Sequence, residues 1–112
     1  MRIHTDNNGV YVNAISSDGS GKNVDWHQYY IQAGFKGISL DFQSGEVKDN
    51  GVNGITSEAL LAILIHRTKF LDYKFPYDEN KRAINHLEEA LVNLEVRTAR
   101  RIIRGVEGKD AV

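Results

Sequence analysis

Arg97, Arg100, Arg101 and Arg104 crowd into eight residues, with no acidic residue between 97 and 104. On a helix Arg97, Arg101 and Arg104 are spaced i, i+4, i+7 and project from one face. Three guanidiniums on one face can receive a phosphate or a carboxylate, because each offers paired donors and a fixed charge. The same cluster also suits a solvated helix C-terminus, where cations offset the negative end of the dipole. Spacing alone leaves both readings open.

Aromatic residues gather upstream: Phe70, Tyr73, Phe75 and Tyr77. Beside guanidiniums such rings can stack a nucleobase; they equally pack a corner between helices. Asn80 carries an amide able to read a base edge or a ribose, and also suits a surface position. Evidence for other chemistry is thin. The histidines His4, His27, His66 and His86 show no zinc-ligand spacing, and there is no HExxH. Asp18-Gly19-Ser20-Gly21-Lys22 has the composition of a phosphate loop but lacks the Walker spacing, and reads as a solvated turn. No nucleophile elbow accompanies the serines and histidines. Catalytic residues, a metal site and a cofactor are therefore not expected.

These side chains sit in a chain of 112 residues, enough for one domain over 1–112 with a thin core that oligomerisation would supplement. Fourteen basic and 15 acidic residues leave the net charge at -1, which weighs against binding a nucleic-acid polymer. The absence of cysteine excludes disulfides, thiolate metal sites and cysteine catalysis, and fits a reducing cytoplasm. No apolar run reaches the length of a membrane span, and the first residues lack a signal-peptide core. A cytoplasmic protein without a membrane partner is expected.

The two halves differ in grammar. Eight of the ten glycines lie in residues 1–55, a β-rich segment. Arg2 to Thr5 and Val10 to Ile15 flank Asp6-Asn7-Asn8-Gly9, a hairpin signal. Asp25 to Ala33 suits either a strand or a short helix. Gly37 to Phe42 alternates as a half-buried strand. Residues 44–54 carry turn signals and room for one edge strand. Residues 56–105 read as a helical hairpin. Thr56 or Ser57 caps the first helix, and Leu60, Leu61, Leu64, Ile65, Thr68 and Leu71 form its stripe up to Pro76. Asp78 caps the second helix. Its seam is Ile84, Leu87, Leu91 and Leu94, continued by Ile102, and Gly105 ends it. Some 27 residues make that helix roughly 40 Å long, so its seam needs the sheet or another subunit as cover. The fold class expected is α+β: a small N-terminal antiparallel sheet followed by a long antiparallel helical hairpin.

From His66 to Asp110 the chain reads HRTKFLDYKFPYDENKRAINHLEEALVNLEVRTARRIIRGVEGKD. His66-Arg67, the Phe70 corner, Asn80, the run Ala83 to Leu91 and the ending Arg97-Thr98…Arg101…Arg104-Gly105-Val106-Glu107-Gly108 carry a resemblance. This stretch resembles the helical hairpin shared by two phage immune-evasion families, the Thoeris anti-defence protein one family and the anti-CBASS cyclic-nucleotide sponge. The preceding β-rich segment and the total length favour the former. The resemblance covers about 40% of the chain at motif level, the Arg-rich ending being its most specific part and the Leu-Glu-Glu-Ala-Leu run its weakest. Gly108-Lys109 replaces the Gly-Thr with which the family usually closes the motif.

The resemblance implies a non-enzymatic sponge that sequesters glycocyclic ADP-ribose, in its 1″–3′ or 1″–2′ form, made by bacterial TIR-domain proteins. Without the sponge this signal activates an NAD-depleting effector. It further implies a homodimer or homohexamer and cyclic trinucleotides as additional ligands at separate sites. The family's phenylalanine, asparagine and two arginines fall without a gap on Phe70, Asn80, Arg97 and Arg101. In those roles Phe70 stacks on adenine, Asn80 hydrogen-bonds base or ribose, and Arg97 with Arg101 holds the pyrophosphate. Arg67 and Arg104 are further phosphate partners by their presence in the motif. The alternatives are a sponge for CBASS cyclic oligonucleotides and a small phage protein that binds a host partner through its arginine face.

Overall fold

The computed structural model describes residues 1–16 and 26–105. Contacts gather the chain into two units, one formed by Met1–Ser44 with Val52–Ile55, the other by Gly45–Gly51 with the chain from Thr56 onward.

The first unit is an antiparallel meander of β1 (Arg2–Thr5), β2 (Tyr11–Ile15), β3 (Gln28–Ala33) and β4 (Lys36–Asp41), in that spatial order. The ambiguous stretch from Asp25 to Ala33 is thus a strand from Gln28 onward. Register places Ala14, Tyr29 and Leu40 in one row and Val12, Ile31 and Ile38 in the next, so apolar side chains share a face. Ala14 is buried there, and Tyr29 meets Phe42 edge-on at 5.5 Å. The other face is polar and aromatic: the Arg2 guanidinium lies 3.8 Å from the Tyr11 ring centre. The first turn is wider than a two-residue hairpin loop. Asp6 Oδ1 accepts from the amides of Asn8 and Val10, and Gly9 takes a φ of 78°. The side-chain bonds, rather than Asn-Gly alone, set this turn.

Residues 44–54 hold no edge strand. They contain a one-turn helix, α1 (Val47–Asn50), and a parallel bridge from Phe42 to Ile55 just beyond it. Asn53 fastens this return: its Oδ1 accepts from the Ser44 amide and its Nδ2 donates to the Ser44 carbonyl.

In the second unit α2 (Ser57–Lys74) and α3 (Asp78–Ile103) form the antiparallel hairpin, and the fold is α+β as expected. Thr56 caps α2 through its side chain, which accepts from the Ala59 amide. On α3 the expectation for Asp78 shifts by one residue. Tyr77 occupies the cap without a side-chain bond and Asp78 opens the helix, where its charge suits the dipole. Ile65 and Ile84 are the buried centre of the seam. Along α3 the seam runs Ile84, Leu87, Leu91, Leu94, Thr98 and Arg101, all buried or half-buried. Ile102, expected to continue it, is 54% exposed. The alternating three- and four-residue steps bring Arg101, which is half-buried, to that position instead. On α2 the inner positions are Leu61, Ile65, Thr68 and Asp72, while Leu64 and Leu71 are exposed.

Candidate functional site

The corner of the hairpin is built around Asp72, a half-buried carboxylate near the end of α2. It accepts from the Tyr77 amide at 3.2 Å and pairs with Lys81 Nζ at 3.3 Å, spanning the turn made by Pro76. Partial burial pushes its pKa upward. The Tyr77 amide, the Lys81 ammonium and the Asn80 amide together outweigh that push and hold it below the ordinary 3.8. Asn80 also donates from Nδ2 to the Phe75 carbonyl at 3.2 Å. Both of these bonds use Nδ2, and the Oδ1 acceptor makes no hydrogen bond among the described residues.

One helical turn before the corner, Phe70 presents a ring that is 41% exposed. Phe70 and Arg67 line a groove of about 470 Å³ on α2 with Ala62, Ile63 and His66. The Arg67 guanidinium approaches the Phe70 ring at 5.9 Å and the Lys74 ammonium at 5.5 Å. The arginines line a second groove, of about 690 Å³, at the far end of α3. Arg97, Arg100, Arg101 and Arg104 share it with Asn93, Val96 and Ile103. The helix ends there at Arg104 and Gly105, whose φ of 70° stops it. The C-terminal dipole favours the cations, and the aliphatic residues between them lower the local polarity.

Hence the structure brings Arg67 and Phe70 together and gathers Arg97, Arg101 and Arg104, but it keeps the two sets apart within one chain. Lys69 pairs with Glu88, so Phe70 lies level with that part of α3. Arg97 and Arg101 are then roughly 14 to 20 Å further along the helix at about 1.5 Å per residue. Asn80 and Arg101 lie on the same helix, about 32 Å apart along its axis. A cyclised dinucleotide does not span that distance, even with both side chains reaching toward it.

The six expected residues all stand on the hairpin, none fully buried. Sequence reasoning counted His66 in the motif and Arg100 in the cluster without giving either a ligand role, and passed over Lys74 on α2. Lys74 follows Phe70 by four residues, a helical spacing visible in the sequence. The glycine-rich segment Asp18 to Lys22 and the motif's last residues, Val106 to Gly108, lie outside the described residues. Among the described residues no three metal-ligating side chains gather, and no helix is long and apolar enough to cross a membrane.

The chain matches no protein-family model. It is similar to Thoeris anti-defense 1 of Bacillus phage SBSphiJ7, with 46% identity over 71 residues. The match takes in 62% of this chain and 50% of that protein, so the chain spans about half the length of the curated relative.

Proposed function

We propose that this chain is a member of the Thoeris anti-defence family and counters bacterial Thoeris immunity by holding the pathway's cyclic nucleotide signal without cleaving it. The ligand is a glycocyclic ADP-ribose in the cytoplasm of the infected cell. Adenine stacks on Phe70, Asn80 offers its free Oδ1 to the base amino group or a ribose hydroxyl, and Arg97 with Arg101 holds the pyrophosphate, flanked by Arg67 and Arg104.

The observation that carries this reading is the division of the hairpin into two complementary halves. One end offers an exposed aromatic ring and an amide; the other offers a groove walled by four guanidiniums. Neither half suffices for a nucleotide. Two copies packed with their hairpins antiparallel set the Phe70 end of each against the arginine end of the other, which makes two equivalent sites per dimer. The exposed Val92, Val96 and Ile103, at near-helical spacing on α3, supply apolar surface for such a pairing. Among the described residues that line the two grooves, His66 has no carboxylate beside it, and the proposal includes no step of bond cleavage.

Calorimetric titration with 1″–3′ glycocyclic ADP-ribose tests the proposal, followed by heat denaturation and chromatography of the released nucleotide. Tight binding with intact nucleotide released is the expected result. Arg97→Ala with Arg101→Ala is expected to abolish it while the far-ultraviolet circular dichroism stays unchanged. Absence of binding by the unaltered chain overturns the reading, and a degraded product replaces the sponge by an enzyme.

A further inference from the structure

We propose that Lys74 is a further ligand-binding residue, donating from Nζ to a phosphate of the nucleotide whose base stacks on Phe70; this rests on the sponge reading above. Ile63, Arg67, Phe70 and Lys74 follow at i, i+4, i+7 and i+11 and form one exposed stripe of α2. Along that stripe a cation stands one turn before the ring and another one turn after it, at 5.9 Å and 5.5 Å from its centre.

The pairing of the hairpin's cations separates Lys74 from its neighbours. Lys69 is tied to Glu88, Lys81 to Asp72 and Arg82 to Glu79. Among the described residues, Arg67, Lys74, Arg97, Arg100 and Arg104 make no ion pair. Lys74 thus falls with Arg67, Arg97 and Arg104, three of the cations expected at the ligand, and not with those that brace the hairpin. Its chemistry fits the position. A purine laid on the Phe70 face carries its sugar and phosphate past the rim of the ring. There the flexible stem of a lysine lets a compact charge with three donors follow an anion that a planar guanidinium must meet edge-on. The competing role is local, since Lys74 lies in the last turn of α2, where a cation steadies the helix dipole.

The experiment titrates the unaltered chain, Lys74→Met and Lys74→Arg with 1″–3′ glycocyclic ADP-ribose at low and at high salt, and records the melting temperature of each without ligand. The expected result is binding about tenfold weaker for Lys74→Met, with a shallower salt dependence and an unchanged melting temperature. Lys74→Arg is expected to restore most of the affinity. Equal affinity for Lys74→Met overturns the proposal. So does a loss that leaves the salt dependence as steep as before, which means contact with an uncharged group. A loss accompanied by a lower melting temperature assigns Lys74 to the helix end instead. If the unaltered chain binds nothing, the sponge reading itself has failed, which is a distinct outcome.

Discussion

The Thr98 hydroxyl donates to the Glu58 carboxylate at 2.7 Å, tying the first turn of α2 to a point five residues before the end of α3. With Lys69–Glu88 at mid-hairpin and Asp72–Lys81 at the corner, this bond fixes the register of the two helices. Arg97 is therefore level with the start of α2, and Arg101 and Arg104 lie beyond it. The overhang leaves the arginine groove open on the side where a longer α2 would have closed it. The same register keeps Phe70 and Asn80 at the opposite end.

Thr98→Val should lower the unfolding free energy by about 1–2 kcal/mol, because it removes a bond to a charged, half-buried acceptor and leaves that acceptor without its donor. Urea denaturation measures it. An unchanged midpoint would show that the bond only reports the register and does not help to hold it.

If two copies share each site, two defective chains should repair one another. Phe70→Ala removes the stacking half, and Arg97→Ala with Arg101→Ala removes the phosphate half. Each variant alone should fail to bind glycocyclic ADP-ribose. Mixed and allowed to exchange subunits, half the dimers become mixed, and each holds one intact site. Binding should return to about a quarter of the sites. No return on mixing would place all the ligand contacts within one chain and refute the shared site.

Much of this arrangement was legible in the sequence, and the misses have physical causes. Leu and Ile at three- and four-residue spacing, with Thr56, Pro76 and Gly105 as punctuation, specify both helices to within a residue or two. Periodicity did not say which of two adjacent side chains turns inward. Apolar character favoured Ile102, but the helical step favours Arg101, which is half-buried where Ile102 is exposed. Residues 44–54 misled because their contacts are non-local: the return past Phe42 depends on Asn53 and Gly54, which by themselves signal only a turn. Residue types and spacing raised the arginine face, a group of four aromatics and Asn80, and the family resemblance narrowed these to Phe70, Asn80, Arg97 and Arg101, yet neither carried information on the distance between the two ends. That distance follows from the helix rise and the register, which need the folded hairpin.

Gly54 and Gly51 should respond differently to alanine. A Cβ on Gly54 would stand 2.6 Å from the Asp41 carbonyl oxygen and 2.6 Å from the Gln43 amide nitrogen, and nearer still to the Phe42 carbonyl carbon. Backbone cannot swing aside as a side chain can, so Gly54→Ala should cost about 3 kcal/mol and part the bridge between Phe42 and Ile55. A Cβ on Gly51 would meet nothing, but its φ of 68° with ψ of -178° is a backbone conformation kept almost entirely for glycine, so Gly51→Ala should cost about 1–3 kcal/mol of purely local strain. Hydrogen exchange locates the difference. The amides of Gln43 and Ile55, which bond to Ile55 O and Asp41 O, should lose protection in Gly54→Ala and keep it in Gly51→Ala. Equal protection in both variants would contradict the close approach.

Asp72 should set part of the acid limb of stability. Its carboxyl is partly withdrawn from water, which alone would raise its pKa, but the Tyr77 amide, Lys81 and Asn80 bring it below 3.8 in the folded chain. A depressed folded pKa means that the unfolded chain binds the proton more readily, so stability rises with pH through this window. The contribution is complete above the unfolded value near 3.8 and disappears as the pH falls through the lower folded value. Thermal melts of the unaltered chain and of Asp72→Asn from neutral pH down to about pH 2 would isolate it. The gap between the two curves should be widest above pH 4 and narrow as the solution becomes more acidic. A gap that stays constant across the series would mean that the corner is held by the shape of the Asp72 side chain and not by its charge.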